Sequence, residues 1–181
     1  MLRTALGVAI ALTIAGCHTA EESTWFMYKA PDGAFALSFP AEPVADVQNL
    51  GTVFGRLEMH VVSFETNGDQ ENEDRAFIVL YGDLPARLLE DADPQGILDG
   101  LRDGMLGTID GRLLEEDDAA LGKIPGRAVR LASATGEAQV LGRIYLAGLR
   151  IYQLMSVGAP SQAGDEDALR FLKSFQLRSK R

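Results

Sequence analysis

The position of the only cysteine separates a leader from the part of this chain that must fold. Cys17 ends a short apolar run over residues 5–14, which follows the positively charged start Met1-Leu2-Arg3, and polar residues 18–22 come directly after it. This layout is typical of a secretory signal peptide with small residues at its cleavage point. The run is too short to cross a bilayer, which needs roughly 20 apolar residues. We therefore expect residues 1–16 to be a signal peptide that is removed, leaving 165 of the 181 residues.

The end of this leader indicates how the mature chain is held. Ile14-Ala15-Gly16-Cys17 resembles the bacterial lipobox, in which the cysteine thiol is diacylated, the peptide before it is cut and the new α-amine is often acylated too. Two or three acyl chains, palmitate among them, anchor a soluble domain because each buried CH₂ contributes about 0.8 kcal/mol. His18 stands where an aspartate favours inner-membrane retention in enterobacterial lipoproteins, so the resemblance implies the periplasmic face of the outer membrane. An ordinary cleavage site with an incidental Cys17, or an uncleaved anchor, stays open as an alternative.

The composition of the mature chain bounds its fold and its partners. A chain of this length makes one ordinary domain and buries about two thirds of its unfolded surface. With Cys17 acylated, no thiol remains to form a disulfide. Removing Arg3 with the leader leaves 16 basic and 26 acidic residues, a net charge of −10. Such a surface repels nucleic acid and anionic head groups, so we expect membrane contact through the lipid on Cys17 alone, with residues 17–24 as a lipidated tether.

Residues 25–178 alternate between the two periodicities of secondary structure. Phe35, Leu37 and Phe39 alternate with polar or small residues after the turn Pro31-Asp32-Gly33, which predicts a β-hairpin with Trp25 in the core. The other predicted strands cover residues 44–53, 55–65, 76–81, 112–117, 127–132, 139–146 and 150–157. The continuous apolar run 76–81 predicts a central strand that is buried on both sides. Short turns join the last four strands, which favours an antiparallel meander.

Helical spacing replaces strand alternation at two places. Asp93 can cap a helix whose first residue is Pro94, and Ile97, Leu98, Leu101 and Met105 then recur at helical spacing to about Leu106. The acidic residues 165–167 favour the start of a second helix, in which Leu169, Leu172 and Phe175 are expected to form the buried stripe. Strands interrupted and closed by two helices predict a single α+β domain over residues 25–178, with an antiparallel sheet flanked by helices.

Four segments resemble a known fold family. They are residues 31–40 (PDGAFALSFP), residues 81–85 (YGDLP), residues 142–145 (GRIY) with 152–154 (YQL), and residues 169–175 (LRFLKSF). These segments are similar to the PsbP-like family, which includes the photosystem II extrinsic protein, the Ran-binding Mog protein and many uncharacterised bacterial secreted proteins. The resemblance implies a PsbP-like αβα sandwich. Its motifs are structural, and the metal-binding and partner-binding residues of characterised members have no matching motif in this chain.

Few residues suggest catalysis or metal binding. The sequence has two histidines, of which His18 lies in the tether, so a three-histidine metal site is impossible. His60 lies two residues from Glu58 on the same strand face, a pair that could transfer protons or bind a metal, although a solvated histidine in a ladder is commoner. No nucleophile elbow, P-loop or dinucleotide fingerprint occurs. We therefore expect no catalytic residue, no cofactor and no metal ligand.

Acidic runs offer a weaker signal. Asn67, Asp69, Glu71 and Glu73 alternate as in a calcium loop, but such a loop also needs a glycine at its sixth position and an acid at its twelfth. Asn72 and Ile78 occupy those positions, so a solvated loop is favoured. The run Glu115-Glu116-Asp117-Asp118 is typical of an edge strand protected against pairing.

These observations predict an envelope lipoprotein anchored at Cys17 whose domain is a non-catalytic binding or assembly module for an envelope protein or a small ligand. Two alternatives stay open. One is a carboxylate-based envelope enzyme that uses Glu58 and His60, and the other is a structural or stress-related lipoprotein without a tight ligand. An exposed apolar patch would favour a binding site, whereas a deep cleft with convergent polar groups would favour an enzyme.

Overall fold

The structure is a computed structural model that describes residues 25–52, 54–66, 74–90 and 93–178. Its elements in chain order are β1 (Phe26–Lys29), β2 (Phe35–Phe39), β3 (Val44–Thr52), β4 (Gly55–Thr66), β5 (Arg75–Asp83), a 3₁₀ turn (Ala86–Leu88), α1 (Pro94–Thr108), β6 (Arg112–Asp118), β7 (Gly126–Ala132), β8 (Gln139–Ala147), β9 (Arg150–Gly158), α2 (Glu166–Lys173) and β10 (Gln176–Leu177).

The strands form two antiparallel sheets. The large sheet has seven strands in the order β3-β4-β5-β9-β8-β7-β6, and the small sheet has the order β1-β2-β10. The predicted meander from β6 to β9 is confirmed, and β9 then pairs with β5 so that Tyr81 lies opposite Tyr152. This pairing joins the two halves of the chain, because β5 precedes α1 in sequence and β9 follows it.

The large sheet is covered differently on its two faces. Helix α1 packs on one face, where Leu101, Met105 and Ile144 belong to one apolar cluster. The small sheet and α2 cover the other face, where Phe35, Phe77 and Phe171 belong to a second cluster. The sequence correctly predicts an α+β domain with an antiparallel sheet flanked by helices.

The first hairpin forms as its alternation predicts. Phe35, Leu37 and Phe39 of β2 are fully buried. Trp25 is half-buried and meets the ring of Phe77 edge-on, with 6.2 Å between ring centroids. The residue after it, Phe26, is exposed, because β1 lies at the edge of the small sheet.

Strand β5 differs from the prediction of burial on both sides. Its residues Phe77, Val79 and Tyr81 are buried under the small sheet and α2, whereas Ile78 and Leu80 on the α1 face are only partly buried. The strand is interior to the sheet, but α1 makes most of its contacts with the sheet over β7 and β8. An unbroken apolar run does not distinguish these two cases, since it reports the composition of both faces and not what covers them.

Helix α1 begins as predicted. The side chain of Asp93 accepts a hydrogen bond from the Gln95 backbone N–H at 3.2 Å, and Pro94 occupies the first helical position. Ile97, Leu98, Leu101 and Met105 are all buried. The helix continues past Leu106 to Thr108, so the prediction was short by two residues.

The buried stripe of α2 is shifted from the predicted one. Ala168, Phe171 and Leu172 are the buried residues of the helix, and Leu169 is 38% exposed. Phe175 is buried as expected, but it lies beyond the last helical residue, Lys173. The predicted spacing of i, i+3 and i+6 drifts off a helix with 3.6 residues per turn, whereas residues 168, 171, 172 and 175 follow its face.

Candidate functional site

A polar cluster centred on Arg150, at the start of β9, connects the two sheets. The Arg150 Nε and Nη2 atoms donate to the two carboxylate oxygens of Asp83, at 2.6 and 2.9 Å, and Nη1 donates to the carboxylate of Asp32. Asp83 ends β5 of the large sheet, and Asp32 lies in the turn between β1 and β2 of the small sheet. One guanidinium group therefore holds both sheets through its planar donor set.

Glycines next to both aspartates explain why the chain can bring them to Arg150. Gly33 has φ +70°, and the preceding Asp32 accepts a hydrogen bond from the Ala34 N–H at 3.0 Å, which closes the turn. At Gly82, a Cβ atom would lie 2.6 Å from the Glu58 carbonyl oxygen on the neighbouring strand. Two of the segments that carry the family resemblance thus supply the two carboxylates of this cluster.

Aromatic rings surround the guanidinium on its buried side. Phe35 meets the rings of Tyr81 and Tyr152 edge-on, at centroid distances of 4.9 and 5.5 Å. Tyr28 also packs against Phe35, with 6.0 Å between ring centroids. Arg150 lies over the ring of Tyr81, with 5.8 Å from Cζ to the centroid. Because the rings exclude water from one side, the ion pair is only partly solvated.

The protonation states of this cluster are fixed by burial and by the ion pair. Burial raises the pKa of the Tyr28, Tyr81 and Tyr152 hydroxyls, so they are neutral near pH 7. Hydrogen bonds from Arg150 lower the pKa of Asp83, and the hydrogen bond to Asp83 raises the pKa of Arg150. Both groups are therefore charged near neutral pH.

His60 lies at the border of this cluster. Its ring stacks on Tyr81 with 4.6 Å between centroids and 8° between planes, because His60 and Tyr81 are register partners on β4 and β5. Glu58 precedes it on the same strand face, as expected, and is exposed. The half-buried imidazole is therefore packed against an aromatic ring, a contact between two strands that no local sequence pattern predicts.

The described residues do not gather ligands for a metal ion at this or another place. Among the residues that the structure describes, no three His, Cys, Asp or Glu side chains lie close enough together to hold one. The acidic run at residues 67–73 lies outside the described residues, as do Cys17, the leader and the tether. None of the described helices has the length and apolar character to cross a bilayer.

The acidic run on β6 forms an edge strand as predicted, but one of its members has a specific role. Glu116 accepts hydrogen bonds from Arg102 of α1 at 2.8 Å and from Arg127 of β7 at 2.7 Å. Arg127 also pairs with Asp99 of α1 at 2.8 Å. These half-buried pairs fix the outer side of α1 to the edge of the sheet. The sequence pattern did not separate Glu116 from its neighbours, because all four acids are identical in charge.

A cavity of about 150 Å³ lies between α1 and the large sheet. Its apolar walls come from the helix and from six strands, and include Met59, Leu101, Met105, Leu131, Val140 and Ile151. Gly51 and Thr108 in its lining are exposed, so the cavity reaches the surface between the β3–β4 hairpin and the end of α1. It lies beside the partly covered face of β5 described above, where Leu80 contributes to its lining.

One buried amide lies in this apolar lining. Gln153 of β9 is 9% exposed, and its Nε2 donates to the Leu101 carbonyl oxygen over a long 3.4 Å. Within the described part of the chain, Oε1 accepts no hydrogen bond. Buried polar side chains usually have a partner for each strong donor or acceptor. The sequence signal for this residue is a single polar side chain inside the otherwise apolar segment 151–155.

Comparisons with known proteins place the fold. No family model matches the chain, and none of the curated proteins matches it. The solved structures that it resembles include cyanobacterial PsbP (CyanoP) from Synechocystis sp. PCC 6803, with a TM-score of 0.57 and 8% identity over 91% of this chain and 99% of that one. Another is a Pseudomonas aeruginosa protein of unknown function, PA94, with a TM-score of 0.52 and 10% identity over 87% of this chain and 98% of that one. The domain therefore has a PsbP-like fold.

Proposed function

We propose that this chain is an envelope lipoprotein, anchored through acyl chains on Cys17, whose domain is a non-catalytic binding module. The observation that carries the proposal is the cavity between α1 and the large sheet. Globular proteins pack their interiors densely and leave few voids larger than a water molecule. An apolar cavity that reaches the surface is suited to a ligand, since pockets for small molecules are concave and mostly apolar.

The polar groups of the domain support binding over catalysis. All three nitrogens of the Arg150 guanidinium donate to carboxylates of the domain itself. Arg102 and Arg127 are likewise engaged by Glu116. Ion pairs of this kind hold elements of the domain together, and these three arginines are already engaged by carboxylates of the domain itself. The alternative of an enzyme that uses Glu58 and His60 has one observation in its favour, the proximity of His60 to Tyr81.

In this proposal the two parts of the chain have complementary roles, since Cys17 anchors the protein and the domain binds a ligand. Acylation at Cys17 would concentrate the domain at a membrane, and we propose the periplasmic face of the outer membrane. The acidic body would contribute little to membrane contact, because anionic head groups repel it. The occupant of the cavity would then be a small ligand or a side chain of an envelope partner that reaches the same membrane surface.

Photo-crosslinking in the native envelope tests this function. A photoreactive amino acid replaces Thr108, an exposed residue of the cavity lining, and in a control replaces Lys173, an exposed residue of α2 on the opposite side of the sheet. We expect a light-dependent adduct from position 108 only, in the membrane fraction, and its mass identifies a small molecule or a protein. Equal adducts from both positions, or none from either, would favour a structural lipoprotein without a tight ligand.

The anchor is tested separately with Cys17→Ser. The thiol is the acylation nucleophile of the lipobox, so the serine variant is expected to lose labelling by fatty acid and to accumulate as an unprocessed precursor. Cys17 is the only cysteine, so no second thiol can replace it. Wild-type labelling and membrane partitioning of the serine variant would contradict the lipoprotein assignment.

A further inference from the structure

We infer that the cavity under α1 binds a molecule of about the size of one aromatic ring that carries a single neutral hydrogen-bonding group, held by Gln153. This inference rests on the proposed function and names the ligand class. The cavity volume of about 150 Å³ is close to that of an apolar cavity that accepts benzene. A fatty acyl chain or a nucleotide exceeds it.

Glycines on α1 create this space. Gly100 and Gly104 lie four residues apart, on the same side of the helix, and both line the cavity. A Cβ atom added at Gly104 would meet no other atom within 4 Å. Glycine weakens a helix interior relative to alanine, so a larger residue at Gly104 would improve the helix and fill the void. Gly100 and Gly104 do not strengthen the helix or fill the void, and they keep the cavity open.

The polar groups of the lining specify where a ligand would hydrogen-bond. The Thr52 hydroxyl donates to the Gly55 carbonyl oxygen at 2.8 Å, and the Thr108 hydroxyl donates to the Gly104 carbonyl oxygen at 3.0 Å. Gln153 has an unused acceptor, Oε1, and a weak bond from Nε2, as described above. A hydroxyl or amide N–H of a ligand in the cavity would donate to Oε1, an acceptor of the lining that no described residue uses.

The lining also excludes a charged ligand and favours an aromatic one. Among the residues that the structure describes, the lining contains no Asp, Glu, Lys, Arg or His side chain, and an unpaired charge is expensive to bury. Three methionines, Met59, Met105 and Met155, take part in the lining. Thioethers are polarizable and adaptable, and they make favourable contacts with the edges of aromatic rings. The chemistry that fits is therefore a phenol or a small aromatic amide in its neutral form.

Methyl NMR of the mature chain with phenol, benzene and benzoate as probes tests the inference. The mature chain keeps four methionines, of which Met59, Met105 and Met155 line the cavity and Met27 is exposed on β1. We expect saturable shifts of the three lining methyl groups at millimolar phenol and no shift of Met27. Benzene should bind more weakly by about two- to tenfold, the worth of one net hydrogen bond. Benzoate should not bind.

Two substitutions test separately the binding of the aromatic ring in the cavity and the hydrogen bond to Gln153. Gly104→Leu fills the cavity and should abolish the shifts, whereas Gly107→Leu, on an exposed part of the same helix outside the lining, should retain them. Gln153→Leu should keep benzene binding and remove the advantage of phenol. Even if a variant does not fold, the shifts of the methionine methyl groups in the unsubstituted chain show whether the probe binds in the cavity.

Several results would overturn the inference. No saturable shift with phenol or benzene, shifts confined to Met27, or benzoate binding as tight as phenol would each do so. Retained binding in a folded Gly104→Leu variant would place the ligand elsewhere. A light-dependent adduct from Thr108 in the envelope together with any of these results would leave the proposed function intact and reject only the ligand class.

Discussion

Two leucines on α2 provide a matched pair whose contributions to stability should differ. Leu169 and Leu172 lie three residues apart on the same helix, and the sequence pattern places both in the core. In the structure Leu172 is 2% exposed and belongs to the core cluster with Phe171, whereas Leu169 is 38% exposed. We predict that Leu172→Ala costs several times more free energy of unfolding than Leu169→Ala.

The magnitudes follow from burial. Full burial of a leucine contributes about 1.5 to 3 kcal/mol, and the cavity left by its removal raises the cost of Leu→Ala to about 2 to 5 kcal/mol. We expect that range for Leu172. Leu169 already keeps more than a third of its surface in water, and its truncation leaves a surface depression, so we expect a cost below about 1 kcal/mol. Both changes alter helix propensity equally, so the difference reports packing.

Urea unfolding measures both variants. Trp25 is the only tryptophan, and it lies against Phe77 and under the guanidinium of Arg170 from α2. Its fluorescence therefore reports the docking of α2 and the small sheet, while far-UV circular dichroism reports the whole domain. The two signals should coincide, with equal m values for both variants. Equal losses in the two variants, or a larger loss in Leu169→Ala, would refute the assigned face of the helix.

Three further predictions concern the Arg150 cluster and its surroundings. Phe175→Ala should cost about 3 to 5 kcal/mol, because Phe175 stacks on Tyr145 with 5.5 Å between centroids; a cost under about 1 kcal/mol in urea unfolding would show that the ring is loosely packed. The pKa of Asp83 is lowered by Arg150, so its carboxylate stabilises the fold above its unfolded pKa of about 3.9 and loses this contribution as pH falls through the folded value. Asp83→Asn should thus be less stable than the wild type near neutral pH and lose less stability on acidification below about pH 4, and parallel stability curves would contradict the ion pair. His60→Ala should leave membrane targeting unchanged, and calorimetry of the wild type should show no specific site for zinc or calcium; micromolar binding that His60→Ala removes would restore the enzyme hypothesis.

The agreement between sequence and structure is closest where a local pattern had one physical meaning. Phe35, Leu37 and Phe39 of β2 are buried as their alternation predicts, and Asp93 and Pro94 serve as the cap and the first residue of α1. Asp93 and Pro94 act on the backbone of their own helix, and the alternating residues of β2 lie on one face of their own strand. Their structural effect therefore depends little on what the rest of the chain does.

The candidate sites depended on contacts between distant parts of the chain. Asp32 and Arg150 are 118 residues apart in sequence and pair only because β9 returns to the position beside β5. The same return brings Gln153 under α1, within reach of Leu101. No local spacing encodes either contact, since both result from strand order.

The sequence by itself determined the α+β class, the strands of the meander, the start of α1 and the prediction of a lipid anchor at Cys17. Only the tertiary structure decided which face of β5 stays partly covered, which leucine of α2 is buried, and where the cavity lies. The physical reason is that hydrophobic burial is non-directional. Periodicity shows which side chains lie on one face and can be buried together. The placement of α1 over β7 and β8 decides which of them are buried.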